Sequence, residues 1–199
     1  MALCGRNIQL LTDITYLPYN GIFAYLSTIL DAFTKQILAY VVSPSLEIDF
    51  VLETVNQLIE QHGISLHAET IVHSDQGSHY TSYKFIEILG DRNLRQSMSR
   101  RGNCWDNAPQ ESFFGHMKDH IKDRLAAAKN FAQVKAIVDD YIDYYNNDRY
   151  QWHLAKLSPN EYYGFVTTGV YPLNVSKVPE LPPIKKAPED LGKTEEVDK

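Results

Sequence analysis

The chain has only two cysteines in 199 residues, Cys4 and Cys104. They form neither a metal-ligand spacing nor a disulfide framework, so a reducing, cytoplasmic setting is expected. No apolar run approaches the roughly 18–20 residues that span a bilayer. The opening MALCGRNIQLL also lacks the basic, apolar and small-residue succession of a signal peptide. No membrane partner is expected. Net positive charge is missing as well: the formal net charge is −6, which weighs against a dedicated nucleic-acid-binding module. Its distribution qualifies that total. Residues 92–101, RNLRQSMSRR, carry four arginines and no acid, and Lys118, Lys122, Arg124 and Lys129 cluster beside two acids. Local positive potential is compatible with an acidic chain. With 44% hydrophobic and 12% aromatic residues, the chain is rich enough in core-forming side chains to exclude global disorder.

The patterning predicts an order β-β-β-α-β-α-β-α-α. NIQLLTDITYL, IFAYLSTILDAF and KQILAYVVS read as three strands, with Asn20-Gly21 as a hairpin signal between the first two. Helical spacing takes over at Phe50, Val51, Val55, Leu58 and Ile59, with Gly63 as a stop. HAETIVHS is a short strand. A short helix follows over YTSYKFIEILGDR, capped by Thr81 or Ser82, and then the strand NLRQSMS. From Pro109 a helix runs through QESFFGHMKDHIKDRL, with Asp106 or Asn107 as its cap. Phe131, Val134, Val138, Tyr141 and Ile142 mark another. A meander followed by alternating helices and strands implies an α/β fold, a mixed five-stranded sheet flanked by helices with the first strand central. Five of the nine prolines fall between residues 172 and 188 and no aromatic lies beyond Tyr171. The expected division is a core over 1–165 and a C-terminal extension over 166–199, a flexible tail.

Three carboxylates occupy unusual places. Asp13 lies inside the first strand, where a charge is costly to bury without partners. Asp75 ends the fourth strand in IVHSDQGSHY, and Glu111 lies in the first turns of the helix after the arginine-rich loop. If the first and fourth strands are neighbours and the helix packs across their ends, the three converge. Converging carboxylates repel and raise one another's pKa unless a cation sits among them. Hard oxygen ligands suit Mg²⁺, and a two-metal site suits in-line phosphoryl transfer.

The segments TDITY at 12–16, HSDQGSHYTS at 73–82 and SMSRRGNCWDNAPQESFFGHMK at 97–118 resemble the catalytic core of bacterial insertion-sequence transposases of the DDE class. These have a retroviral-integrase-like core of ribonuclease H-like fold. Thirty-five residues separate Asp75 from Glu111, the family's D,D-35-E spacing, and YIDYYNNDRYQWHLAKLSPNEYY at 141–163 resembles its closing segment. The resemblance implies Asp13, Asp75 and Glu111 as catalytic and metal-binding residues. Mg²⁺, with Mn²⁺ as substitute, would be the cofactor, as two ions when DNA is bound. The implied reaction is cleavage at transposon ends followed by strand transfer to target DNA, in a homo-oligomeric complex that is nucleoid-associated when acting. Relatives carry helix-turn-helix segments upstream and none is visible before Asp13, so the chain is expected to be a fragment, an excised domain or the product of a truncated element.

Glu111, Gly115, Lys118 and Lys122 share one helix face, and the family associates the lysine seven residues after the Glu with DNA ends. Lys118, Lys122, Arg100 and Arg101 are therefore the expected DNA contacts. Asn107 is expected to organise the helix start, and His73 to orient the loop or touch a metal-bound water. His116 and His120 stand i, i+4 in HMKDH but lack the Glu of an H-E-x-x-H zinc motif. His120 stands where relatives carry an acid. Tyr144, Tyr145, Trp152 and Tyr162 are read as core rather than base-stacking groups. The alternative function is a catalytically silent DNA-binding or oligomerisation fragment that modulates a full-length transposase. A ribonuclease H-like nuclease without strand transfer is a third class.

Overall fold

Strand β1 (Gln9–Tyr19) turns into β2 (Ile22–Asp31) through Asn20 and Gly21, both at positive φ, 45° and 76°. That backbone matches the strand twist of a tight hairpin, which is why Asn-Gly occupies it. The computed structural model describes residues 9–63, 66, 69–99 and 107–180. Strand β3 (Ile37–Ser43) continues the meander antiparallel to β2. Helix α1 (Asp49–His62) then crosses over to β4 (Ile71–Ser74), and α2 (Tyr83–Asp91) leads to β5 (Arg95–Met98). Both later strands run parallel, β4 beside β1 and β5 beside β4. The order is β3-β2-β1-β4-β5, so β1 is central as its pattern predicts.

Helices cover both faces of this sheet. Leu11, Leu17, Leu26 and Leu30 pack against Phe113, Met117, Ile121, Val134 and Val138 of α3 (Ala108–Ala127) and α4 (Phe131–Asn147). Leu10, Ile29, Leu38 and Val72 form a second core with Phe50, Val55, Leu58, Phe85 and Leu89 of α1 and α2. Each such fully buried aliphatic side chain is worth about 1.5–3 kcal/mol against exposure. Alternate residues of β1 serve alternate cores, which leaves its interior without the polar alternation of a one-sided strand.

The helix ends refine the sequence reading. Ser82, not Thr81, caps α2 by accepting from the Phe85 N–H. Gly63 ends α1 in right-handed backbone, not the left-handed form its residue type favours. One helix goes beyond the predicted order: α5 (Pro159–Thr168), begun by a capping box in which Ser158 and Glu161 bond each other's backbone. With a 3-10 turn at Trp152–Leu154, α5 closes a small satellite core of Leu154, Leu157, Tyr162 and Phe165.

The outer edge of β3 is covered at its first residues. The Asn146 amide accepts from the Ile37 N–H at 3.0 Å and donates to the Ile37 carbonyl at 2.9 Å. His62 Nε2 lies 3.1 Å from the Leu38 carbonyl. Among the described residues no helix is long and apolar enough to cross a membrane.

Candidate active site

Parallel pairing decides where the first two carboxylates stand. Leu11 pairs with His73; Asp13 lies two residues further along β1 and Asp75 just past the end of β4, near enough for its charge to act on Asp13. Neighbouring strands are about 4.8 Å apart. The Asp13 face of β1 carries Leu11 and Leu17, which pack on α3. Glu111 sits in the first turn of that helix.

Two amides dock the helix start onto the strands. Gln110, fully buried, donates from Nε2 to the Thr28 hydroxyl, and Thr28 is the β2 partner of Asp13. Asn107 occupies the N-cap position of α3, but its side chain makes no capping bond there. It donates instead from Nδ2 to Asp13 Oδ2 at 3.1 Å. The expected cap is thus spent on a carboxylate, and Asp106, the other expected cap, lies outside the described residues. The other oxygen of Asp13 accepts from the Ile14 N–H at 2.7 Å.

Burial, above all, pushes the Asp13 carboxyl up to about 6, and the charges of Asp75 and Glu111 push in the same direction. The backbone and Asn107 hydrogen bonds offset part of this. Asp75 is exposed, and its Oδ1 accepts from the Gly77 N–H at 2.8 Å. A Cβ at residue 77 would stand 2.9 Å from that oxygen. The glycine therefore clears space for the carboxylate itself, a tighter role than the turn it marks in sequence.

His73 is buried, with Nδ1 sharing a 3.2 Å hydrogen bond with Ser97 and Nε2 a 2.8 Å one with Ser99. Both ring nitrogens thus tie β4 to β5 and the residue after it. His79 faces α1, its Nε2 2.7 Å from the Leu46 carbonyl. His120 stacks on Tyr144. Tyr145 and Tyr162 are core residues, as read from the sequence, whereas Trp152 is 74% exposed and Tyr144 partly so. Lys118 and Lys122 are exposed on α3 and border a groove under the β1–β2 turn. Arg100 and Arg101 lie outside the described residues, as do both cysteines.

The donor set fits a divalent cation in kind: hard oxygens, one of them partly buried, its charged form disfavoured chiefly by that burial and further by its like-charged neighbours. Among the described residues no three His, Cys, Asp or Glu side chains cluster tightly enough to hold a metal as they stand. Electrostatic coupling of the three carboxylates is present, while closure around an ion is not. The residues that sequence reasoning passed over are Gln110 and Gly77's service to Asp75. An amide immediately before the Glu, in the first turn of its helix, is the one sequence signal for the first.

Comparison with known proteins places this geometry. Solved structures share the fold at low identity: the simian T-cell lymphotropic virus intasome (TM-score 0.66, 14% identity, 94% of this chain and 60% of that one). The catalytic core domain of BIV integrase also does (0.62, 16%, 82% and 98%), as does the HTLV-2 integrase core in complex with magnesium (0.58, 13%, 77% and 94%). The class is therefore the ribonuclease H-like fold of integrase catalytic cores. Two models described as Integrase core domain match residues 5–104 and 111–164. The chain is 35% identical over 156 residues to the putative transposase InsK of insertion sequence element IS150 from Escherichia coli (78% of this chain, 54% of that one). It is 36% identical over 154 residues to an uncharacterized transposase-like protein of Haemophilus influenzae (76% and 68%). The chain belongs to the integrase core family, among the insertion-sequence transposases, and spans about half the length of the Escherichia coli relative.

Proposed function

We propose that the chain is the catalytic core of a DNA transposase, with Asp13, Asp75 and Glu111 as its metal-binding triad. The observation that carries this reading is that the charges of Asp75, just past the end of β4, and of Glu111, in the first turn of α3, both act on the partly buried Asp13 of the neighbouring strand β1. Mg²⁺ or Mn²⁺ held by the three carboxylates, two ions with DNA bound, would activate the attacking oxygen and stabilise the leaving one. The protein's own share is positioning. Asn107 aims Asp13, the Gly77 N–H fixes one oxygen of Asp75, and Gln110 anchors the turn that bears Glu111. His73 braces the strand that delivers Asp75. Lys118 and Lys122 bind the phosphates of the transposon end, together with Arg100 and Arg101. Water cleaves the phosphodiester at the transposon end, and the freed 3′-hydroxyl then attacks a target phosphodiester, so every bond broken is matched by one formed and no ATP is consumed. Copies of the chain gather on the DNA ends for this step.

Calorimetric titration with Mg²⁺ and Mn²⁺, beside nicking and strand-transfer assays on terminal-repeat duplexes, tests the reading. Metal binding and nicking lost together in Asp75→Asn are expected. DNA binding without metal binding or turnover, in a chain extended to the length of its relatives, would overturn it in favour of a silent DNA-binding module. Hydrolysis without strand transfer would make it a nuclease.

A further inference from the structure

On the other flank of α3 from Glu111, Lys35, His116, Arg149 and His153 line one cavity of about 270 Å³, together with Ser112 and Tyr145. These residues come from the β2–β3 turn, from α3 and from the segment after α4, so only the fold brings them together. Among the described residues no acidic side chain lines the cavity. Arg149 lies over the Tyr145 ring, 5.9 Å from its centroid, and among the described residues it forms no ion pair with a carboxylate. Lys35 is held in left-handed backbone at φ 64° and donates to the Ala32 carbonyl, with Asp31 partly offsetting its charge. Burial lowers the pKa of His153, and the charges of Lys35 and Arg149 lower it further. The charges of Lys35 and Arg149 thus both reach His153 across the cavity and disfavour its protonated form. Like charges gathered in a concave, partly desolvated place concentrate a positive potential suited to an anion.

We propose that this cavity binds a phosphate of a DNA backbone, with Arg149 as a two-pronged donor and Lys35, His153 and the Ser112 hydroxyl completing the contact. The chemistry matches: arginine's planar fork suits phosphate oxygens. Ala108, Ser112 and His116 form a row on α3 roughly 100° round the helix from the row of Glu111, Lys118 and Lys122. Phosphates on both flanks of the catalytic helix are then held at once, which fixes the roll of the DNA over Glu111. The inference rests on DNA being the substrate and adds a contact remote from Lys118.

Fluorescence anisotropy of a labelled duplex of about 30 base pairs, measured over a salt series, tests it. One phosphate contact contributes about 0.9 to the slope of log affinity against log salt. Arg149→Gln is expected to reduce the slope by about that much and to weaken low-salt binding about tenfold. His153→Gln, at an exposed position, should lower affinity in the same direction, whereas Arg149→Lys should keep the slope. Lys84→Gln, on α2, should change nothing. Inorganic pyrophosphate, titrated while the ring signals of His116 and His153 are followed by NMR, separates the sources of phosphate. Shifts with an unchanged DNA slope would make this a free-phosphate site and overturn the DNA assignment. No shifts and no slope change, in variants of unaltered melting temperature, would overturn the inference whole. In both cases Lys118→Gln would still lower the slope if the wider reading holds; wild-type protein that binds no duplex would defeat the wider reading and this one with it.

Discussion

The two long helices begin in opposite ways. Helix α4 is capped as an isolated helix would prefer: Asn130 accepts from the Gln133 N–H at 3.0 Å, and α5 goes further with a full capping box. Helix α3 begins at another asparagine, Asn107, whose amide ignores the helix and bonds Asp13. The same residue type at the same helical position does structural service in one case and serves a carboxylate in the other. Helix α1, begun at Ile48, also lacks a side-chain cap, but at the start that presents Glu111 a residue able to cap is used elsewhere, and the fold there depends on tertiary anchors, Gln110 on Thr28 and Asn107 on Asp13.

The contrast is open to experiment. The largest effect belongs to the carboxylates: Asp75→Asn should lower metal-dependent nicking by well over about a hundredfold, since loss of a ligand's outer partners alone reaches that scale. Next comes Asp13. Its folded pKa of about 6 stands above the ordinary 3.8, so the fold favours the protonated form. Stability from this group is complete below pH 4 and is lost as pH rises through 6. Above that the metal-free protein forgoes about 3 kcal/mol, an order-of-magnitude figure. Asp13→Asn should therefore raise the melting temperature of metal-free protein at pH 8, with the difference vanishing near pH 4, while Mg²⁺ should stabilise only the wild type. Gln110→Ala should cost about 1–3 kcal/mol in denaturant unfolding, leaving a buried hydroxyl without its partner. Asn130→Ala should cost about 1 kcal/mol as a lost cap. Asn107→Ala should cost less than that, because no cap is lost, yet move the Asp13 titration upward. Equal costs for the two asparagines would break the comparison. Smallest in stability is Gly77→Ala, expected within about 0.5 kcal/mol of wild type because the clash falls on the end of a side chain. Its effect should appear in metal affinity, measured by calorimetry.

Much of this was legible in the residues. Asn20-Gly21 announced the hairpin, the lack of alternation in LLTDITYL fitted a strand covered on both faces, and the spacing of Phe50 to Leu58 marked the buried stripe of α1. Asp13 and Asp75 stood out because a charge inside or at the end of an apolar strand needs a reason. Other features depended on distance. Nothing local to Asn107 says that its amide will reach a residue 94 positions earlier, and the basic cavity draws on residues 35, 116, 149 and 153. Helix α5 was legible in principle, since Ser158-Pro159-Asn160-Glu161 is a start signal, but its apolar face is short and packs on a satellite core.

The Asn146 amide offers Ile37 the acceptor and donor that a neighbouring strand would offer, so the sheet ends on a side chain. An unguarded edge invites another chain to zip onto it. Asn146, with His62 beside it at Leu38, closes that margin where β3 begins.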